Sequence, residues 1–228
     1  TSFGVTNLWL NPGAEYVKAK VGAETWVLAK DAIAKLQDQQ KNVVVVGKVA
    51  ASEIIGKRVL NPITKAGVIV LPAAFVSAEN ATGVVMSVPG HAPCDFIELE
   101  DLKKDAKAQA EFNLAAAELQ SIEPIPLIDA PGYVEFPAVE ECRKMGVRSQ
   151  ADAEKLEKAT SEVYKREYHE GVLNANSGKY AGLKVSECKQ AIISEFKRGG
   201  FADAMWECSA PVVCWCTTSC HVNILVIQ

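Results

Sequence analysis

From residue 16 to residue 88 the chain is written in short β-branched runs, each closed by glycine or proline. That punctuation constrains the fold more than any other feature, because a run of four to eight such residues between turn formers is a strand. YVKAKV (16–21) and ETWVLA (24–29) flank a turn at Gly22, and NVVVVGKV (42–49) is strongly β-prone. RVLNPI (58–63) turns at Asn61-Pro62, GVIVLPAAFV (67–76) is stopped by Pro72, and GVVMSVP follows. One short helix, DAIAKLQDQQ (31–40), interrupts them, with Ile33 and Leu36 on one face. Many short strands with tight turns point to a small, closed or nearly closed barrel.

The second half changes period. DLKKDAKAQAEFNLAAAEL (101–119) is rich in strong helix formers and reads as one long helix. PIPLIDAPGY (124–133) carries too much proline for a helix and crosses the surface extended. SQADAEKLEKATSEVYKREYHEG (149–171) starts on a capping-box-like Ser149/Asp152 pair and stops at Gly171. VSECKQAIISEFKRGG (185–200) repeats that design with Ser186 as its cap and a glycine pair as its stop. The predicted class is therefore α+β: a β-barrel core over roughly residues 1–130, with helices 149–171 and 185–200 packed outside it.

Charge and cysteine use narrow the function classes. A net charge of -4 supplies no global field for coating nucleic acid, though a pocket for one nucleotide end stays open. Seven cysteines, an odd number, with no signal peptide predict free thiols in a reducing compartment. No apolar run reaches the roughly 18 residues of a membrane span. Beginning on Thr1 and ending on the apolar NILVIQ, the chain reads as a piece of something larger. It contains no phosphate-binding G-x-x-x-x-G-K-[ST], no dinucleotide G-x-G-x-x-G after a strand, and no G-x-S-x-G elbow. The tail sets Cys214, Cys216, Cys220 and His221 close together, with Cys208 upstream. Their C-x-C-x3-C-H spacing lacks the paired knuckles of structural zinc, and adjacent Cys220 and His221 point to opposite faces of a strand. Buried cysteines on a hairpin, with no zinc, are predicted there.

One stretch, ATGVVMSVPGHAPCDF (81–96), joins a strand to a loop carrying His91, Cys94 and Asp95. Read residue by residue, Asp95 is a cap at a helix start, and His91 is a solvated loop side chain. Cys94 beside a carboxylate has a raised pKa, which argues against a nucleophile.

This stretch closely resembles the G-T-G-V-V-M-S-V-P-A-H-A-P-x-D segment in the editing domain of archaeal and eukaryotic-type leucyl-tRNA synthetases. TSFGVTNLWLNP at the start is similar to that family's P-E-T-x-F-G-V-T-N-L-W-V-N-P. VLPAAFV (70–76), FIELEDLKK (96–104) and YKREYHEGVLNANSGKYAGLKVSE (164–187) match flanking pieces, and PVVCWC…HVNIL resembles the strands that re-enter the catalytic domain. The resemblance implies an editing (CP1) domain over 1–209, with an archaeal/eukaryotic-type helical insertion around 140–200, and 210–228 returning toward the catalytic domain. It implies cytoplasmic hydrolysis of the ester of mischarged tRNA(Leu), the 3′ CCA end of the tRNA and the rest of the synthetase being partners. By the same resemblance Asp95 grips the α-ammonium of the aminoacyl group and Thr1 rejects cognate leucine. Met86 and Val88 line the side-chain pocket, backbone at Thr82 and Gly83 faces the terminal adenosine, and His91 belongs to the substrate-binding motif. Water is the nucleophile and editing needs no cofactor; ATP and Mg serve only the synthetic site. Two alternatives to an active hydrolase of this kind are a catalytically silent tRNA-end-binding or docking fragment of the same enzyme and the editing domain of a related isoleucyl- or valyl-tRNA synthetase. Against the family pattern, Ala81 replaces a glycine and Trp215 an arginine, and the threonine pair and arginine that precede Thr1 are absent.

Overall fold

The computed structural model describes residues 2–208 and Val222. In chain order its elements are β1 (Asn7–Leu10), β2 (Tyr16–Val21), β3 (Glu24–Ala29), α1 (Ala32–Asp38), β4 (Val43–Val49), β5 (Arg58–Leu60), β6 (Gly67–Pro72) and β7 (Val84–Ser87). There follow α2 (Pro93–Lys104), α3 (Ala106–Glu111), α4 (Ala116–Gln120), β8 (Ile128–Asp129), α5 (Pro137–Met145), α6 (Ala153–Glu170), β9 (Val172–Leu173) and α7 (Val185–Arg198). The chain divides into two compact units, one of residues 2–8, 56–71 and 86–202, the other of 9–55, 72–85 and 203–208.

The second unit is built on β2. It pairs antiparallel with β3 through a two-residue hairpin at Gly22 and Ala23, and with β4 on its other edge. Alternation along β2 turns Val17, Ala19 and Val21 inward, against Leu28, Ala32, Leu36 and Val43. The β4 register slips between Lys18 and Ala19, so one residue of β4 bulges, and Val44, Val45 and Val46 stand exposed.

A four-stranded sheet has the order β5-β6-β1-β7, and the first unit holds most of the helices. α6 packs on α2, α5 and α7. Ile97, Cys142, Leu156 and Ala159 form one apolar cluster there, and Leu127, Leu173, Tyr180 and Cys188 another. Among the described residues the strands fall into sheets of four, three and two, and none closes on itself. The fold is mixed α+β, as predicted, but the described strands do not form a closed barrel. No described helix is long and apolar enough to cross a membrane.

Four local expectations are corrected. Residues 101–119 are not one helix, because Asp105 leaves helical backbone and its carboxylate accepts the N–H groups of Lys107 and Ala108, starting α3 anew. Asn113 then takes φ +51 and separates α3 from α4. Asp152 holds the cap position of α6 but its side chain caps no helical N–H: the Ser149 and Asp152 side chains instead accept from Ala151 and Arg148 in a turn ahead of the helix, which begins at Ala153. Ser186 lies inside the first turn of α7, whose cap position is Lys184. The proline-rich stretch is extended as predicted, with Ile128 and Asp129 pairing Leu173 and Val172, but it does not run over the surface, because Leu127, Ile128 and Ala130 are buried.

Candidate functional site

Beyond β7 the chain turns a tight corner, in which His91 and Ala92 both donate backbone N–H to the Val88 carbonyl at 2.9 Å. Pro93 then opens α2, at a position where the missing N–H costs nothing. Asp95, in the first turn, faces back into the corner: its Oδ2 accepts the Val88 N–H at 2.8 Å, and the residue is only 4% exposed. The helix dipole favours a carboxylate here. Asp95 thus ties the helix start to the end of the strand, a stronger role than a solvated cap.

One turn further, burial and then the charges of Asp101 and Asp95 push the Glu98 carboxyl up to about 7. With its folded value above the ordinary 4.5, the stability Glu98 contributes is complete below about pH 4.5 and is lost as pH rises through 7. Glu98→Gln is therefore expected to stabilise the chain by about 1–2 kcal/mol at pH 8, with much less gain at pH 5, once partial exposure is allowed for. Urea denaturation at the two pH values checks this.

His91 is not a solvated loop residue. It is 1% exposed, its Nε2 accepts the Leu127 N–H at 2.8 Å, and its Nδ1 stands 2.6 Å from Glu167 Oε1. An accepting Nε2 carries no proton, so the ring is the neutral tautomer that donates from Nδ1 to Glu167. Burial pushes the Glu167 carboxyl up, opposed by the hydrogen bond from His91. With both ring nitrogens engaged, His91 brackets the corner to α6 and to the chain entering β8. Neither nitrogen remains for a substrate. Burial raises the Cys94 thiol, the charges of Asp95 and Glu98 add to that, and contact with the Thr160 hydroxyl opposes it. This agrees with the reading against a nucleophile.

Val88, His91 and Asp95 therefore meet in one corner. Met86 is half exposed in the same unit. Thr82 and Gly83 lie in the other unit and engage through backbone: the Thr82 carbonyl accepts the Ala29 N–H, and the Gly83 carbonyl accepts the Tyr16 hydroxyl, both at 2.8 Å. Gly83 sits at φ +68, where an added Cβ would fall 2.5 Å from that of Ala29, so only glycine fits. Ala81 occupies the left-handed region at φ +46, the position where the family pattern has glycine, at a cost of about 1–2 kcal/mol. Glu207 accepts the Ala81 N–H at 2.8 Å and is itself paired with Lys35. Thr1 and the tail residues Cys214, Cys216, Cys220 and His221 lie outside the described residues.

A cavity of about 820 Å³ opens in the first unit, lined by Val88, His91, Leu127, Tyr164, Glu167 and Cys188 among others. Its α6 wall was missed in the sequence. One clue was present: Leu156, Ala159, Val163 and Glu167 form the buried stripe of α6, and a carboxylate on an apolar stripe implies a partner inside. Among the described residues no three of His, Cys, Asp or Glu stand close enough to hold a metal ion. Cys94, Cys142 and Cys188 are free thiols.

Comparison with known proteins bears on this arrangement. Residues 1–106 match the family described as leucyl-tRNA synthetase, editing domain. The chain is 46% identical over 211 residues to the leucine–tRNA ligase of Pyrococcus abyssi, covering 91% of this chain and 22% of that protein. It is 44% identical over 229 residues to that of Methanothermobacter thermautotrophicus, covering 100% and 24%. The chain thus spans about a quarter of the length of these relatives. Crystal structures of the cytosolic leucyl-tRNA synthetase editing domains of P. knowlesi and P. falciparum share its fold, with TM-scores of 0.80 and 0.79 at 19% and 21% identity. They cover 90% and 87% of this chain, which covers 80% and 73% of theirs. The family match over residues 1–106 and the archaeal relatives at 46% and 44% identity show that this chain belongs to the leucyl-tRNA synthetase editing-domain family.

Proposed function

We propose that the chain is the proofreading module of a leucine–tRNA ligase and hydrolyses the ester of mischarged tRNA(Leu), such as isoleucyl- or norvalyl-tRNA. Family membership carries this reading, and the corner around Asp95 supports it. Such a module is needed because an apolar pocket separates amino acids that differ by one methyl by only about 1–3 kcal/mol. In this proposal the Asp95 carboxylate accepts from the substrate α-ammonium. A carboxylate offers roughly four acceptor positions, so the bond to Val88 does not by itself exhaust it. Met86 and Val88 form the wall beside the amino-acid side chain. Backbone at Thr82 and Gly83 faces the terminal adenosine of the CCA end. Water attacks the ester carbonyl without a metal or covalent enzyme intermediate. His91 acts by holding the loop. The module spans 1–209 with its helical insertion around 140–200, residues 210–228 return to the catalytic domain, and the reaction is cytoplasmic.

The test is deacylation of Ile-tRNA(Leu) by the synthetase carrying this domain and by the chain alone. Hydrolysis by neither would leave the silent tRNA-binding reading in its place. Thr1 is assigned the role of leucine gate. Thr1→Ala in the synthetase is expected to open a methyl-sized space and raise hydrolysis of cognate Leu-tRNA by roughly 10–200-fold. Leu-tRNA spared as well as by the parent would reduce Thr1 to a structural residue.

A further inference from the structure

The cavity behind the corner has a wall that the proposed chemistry does not use. Tyr164 and Tyr168 lie one turn apart on α6, so they share a face, and they are 51% and 42% exposed. A half-exposed tyrosine pair on a cavity wall is not core packing. The charged groups lining the cavity are Lys165, Lys189 and Glu167. Glu167 is buried against His91, which leaves the accessible charge basic in a chain whose net charge is -4. Lys189 holds its ammonium 5.8 Å from the Tyr168 ring centroid, and the His169 ring meets Tyr168 edge-on at 5.1 Å. Neither Lys165 nor Lys189 has a carboxylate within ion-pair distance among the described residues.

Aromatic faces interleaved with lysines are the chemistry of single-stranded nucleic acid recognition: bases stack on the rings and phosphates meet the ammonium groups. A phospholipid surface would need an extended basic face, and a protein partner would leave the cationic rim unmatched. A volume of about 820 Å³ is ample for a nucleotide.

We infer that the α6–α7 wall of this cavity, through Tyr164, Tyr168, Lys165 and Lys189, is a subsite for single-stranded RNA. This rests on the reading of the chain as a module acting on a tRNA end, and it adds the element that holds the strand. The wall belongs to α6 and α7, so the helical segment is part of the substrate grip and not only packing.

The experiment is fluorescence anisotropy of the 228-residue chain with a labelled short RNA ending in CCA, compared with the same sequence closed into a blunt duplex. The single strand is expected to bind more tightly than the duplex. Tyr164→Ala and Tyr168→Ala should each weaken it by about 5–150-fold, while Tyr164→Phe and Tyr168→Phe, which keep the ring, stay within about twofold. Lys165→Gln and Lys189→Gln should each reduce the slope of log affinity against log salt by about 0.7. Affinity unchanged in the alanine variants, phenylalanine variants as weak as alanine, or a duplex bound as tightly as the single strand would each overturn the inference. Urea midpoints close to the parent's establish that the variants are folded. Asp95→Asn separates the two proposals, since uncharged RNA lacks the α-ammonium. If the tyrosines matter for RNA while Asp95→Asn deacylates normally, the subsite stands and the reading of Asp95 fails. If Asp95→Asn abolishes deacylation while the tyrosine variants bind RNA normally, the subsite alone fails.

Discussion

Asp95→Asn is expected to slow deacylation of Ile-tRNA(Leu) by roughly 30- to several-thousand-fold in the synthetase carrying this domain. In the proposed complex the carboxylate meets an α-ammonium out of bulk water, a charge-assisted contact. Losing one partner of such a pair costs about 2–5 kcal/mol, which gives that range of rates if the contact persists into the transition state. Asp95→Glu should fail as well, because a methylene moves the carboxylate by more than the roughly 0.5 Å a site tolerates. The structure alters how these variants must be controlled. A solvated helix cap would be worth only about 1 kcal/mol, but Asp95 is buried and accepts the Val88 N–H. Asn keeps an oxygen for that bond and is the variant expected to stay folded. Ala orphans a buried N–H at about 1–3 kcal/mol, so its loss of activity would be ambiguous. Circular dichroism and deacylation, measured on the same preparations, decide the matter. Near-normal editing by Asp95→Asn would reduce Asp95 to a strut.

His91→Ala should be the most destabilising single change in the corner, by about 3–5 kcal/mol in urea denaturation. It leaves the Glu167 carboxylate without its hydrogen bond and the Leu127 N–H without an acceptor, both inside the protein. The double variant His91→Phe/Glu167→Leu should cost less than the sum of its single changes, because removing both polar partners leaves fewer unpaired groups. The pH dependence has a definite sign. Burial already raises Glu167, and His91 opposes the rise. In His91→Ala the folded Glu167 therefore binds a proton more readily than the unfolded one. Part of the lost stability returns at acid pH, where Glu167 is neutral, and disappears as pH rises through its folded value. A destabilisation below about 1 kcal/mol, constant from pH 5 to 8, would show the bracket to be energetically idle.

Much of the local structure was legible because one physical rule governed each segment. β2 and β3 flank Gly22 as read, since alternation and a turn glycine are independent of the rest of the chain. The corner at 88–95 was legible as a strand, a loop and a helix start for the same reason. Helix boundaries failed where side chains competed with the backbone. Asp105 captured two N–H groups and cut a helix former's run in two, and Ser149 with Asp152 closed a turn ahead of α6. Propensity averages over a segment, whereas a single carboxylate can end a helix.

The sequence by itself determined the class of the fold, the strand–loop–helix around Asp95, the placing of turn glycines, and, through quoted motifs, the family. Tertiary structure alone decided what the polar residues do. His91 was written in a loop between small residues, yet it is buried because Glu167, 76 positions later, and the Leu127 N–H, 36 positions later, meet its two nitrogens. Tyr164 and Tyr168 sit among the charges of α6 like any solvated pair, but the packing of α6 beside α7 places them on a cavity wall. Periodicity records which face of an element turns inward; it carries no information on which distant element arrives there. Hydrogen bonds are satisfied by that arrival, so the roles of buried polar groups become readable only once the chain has closed around them.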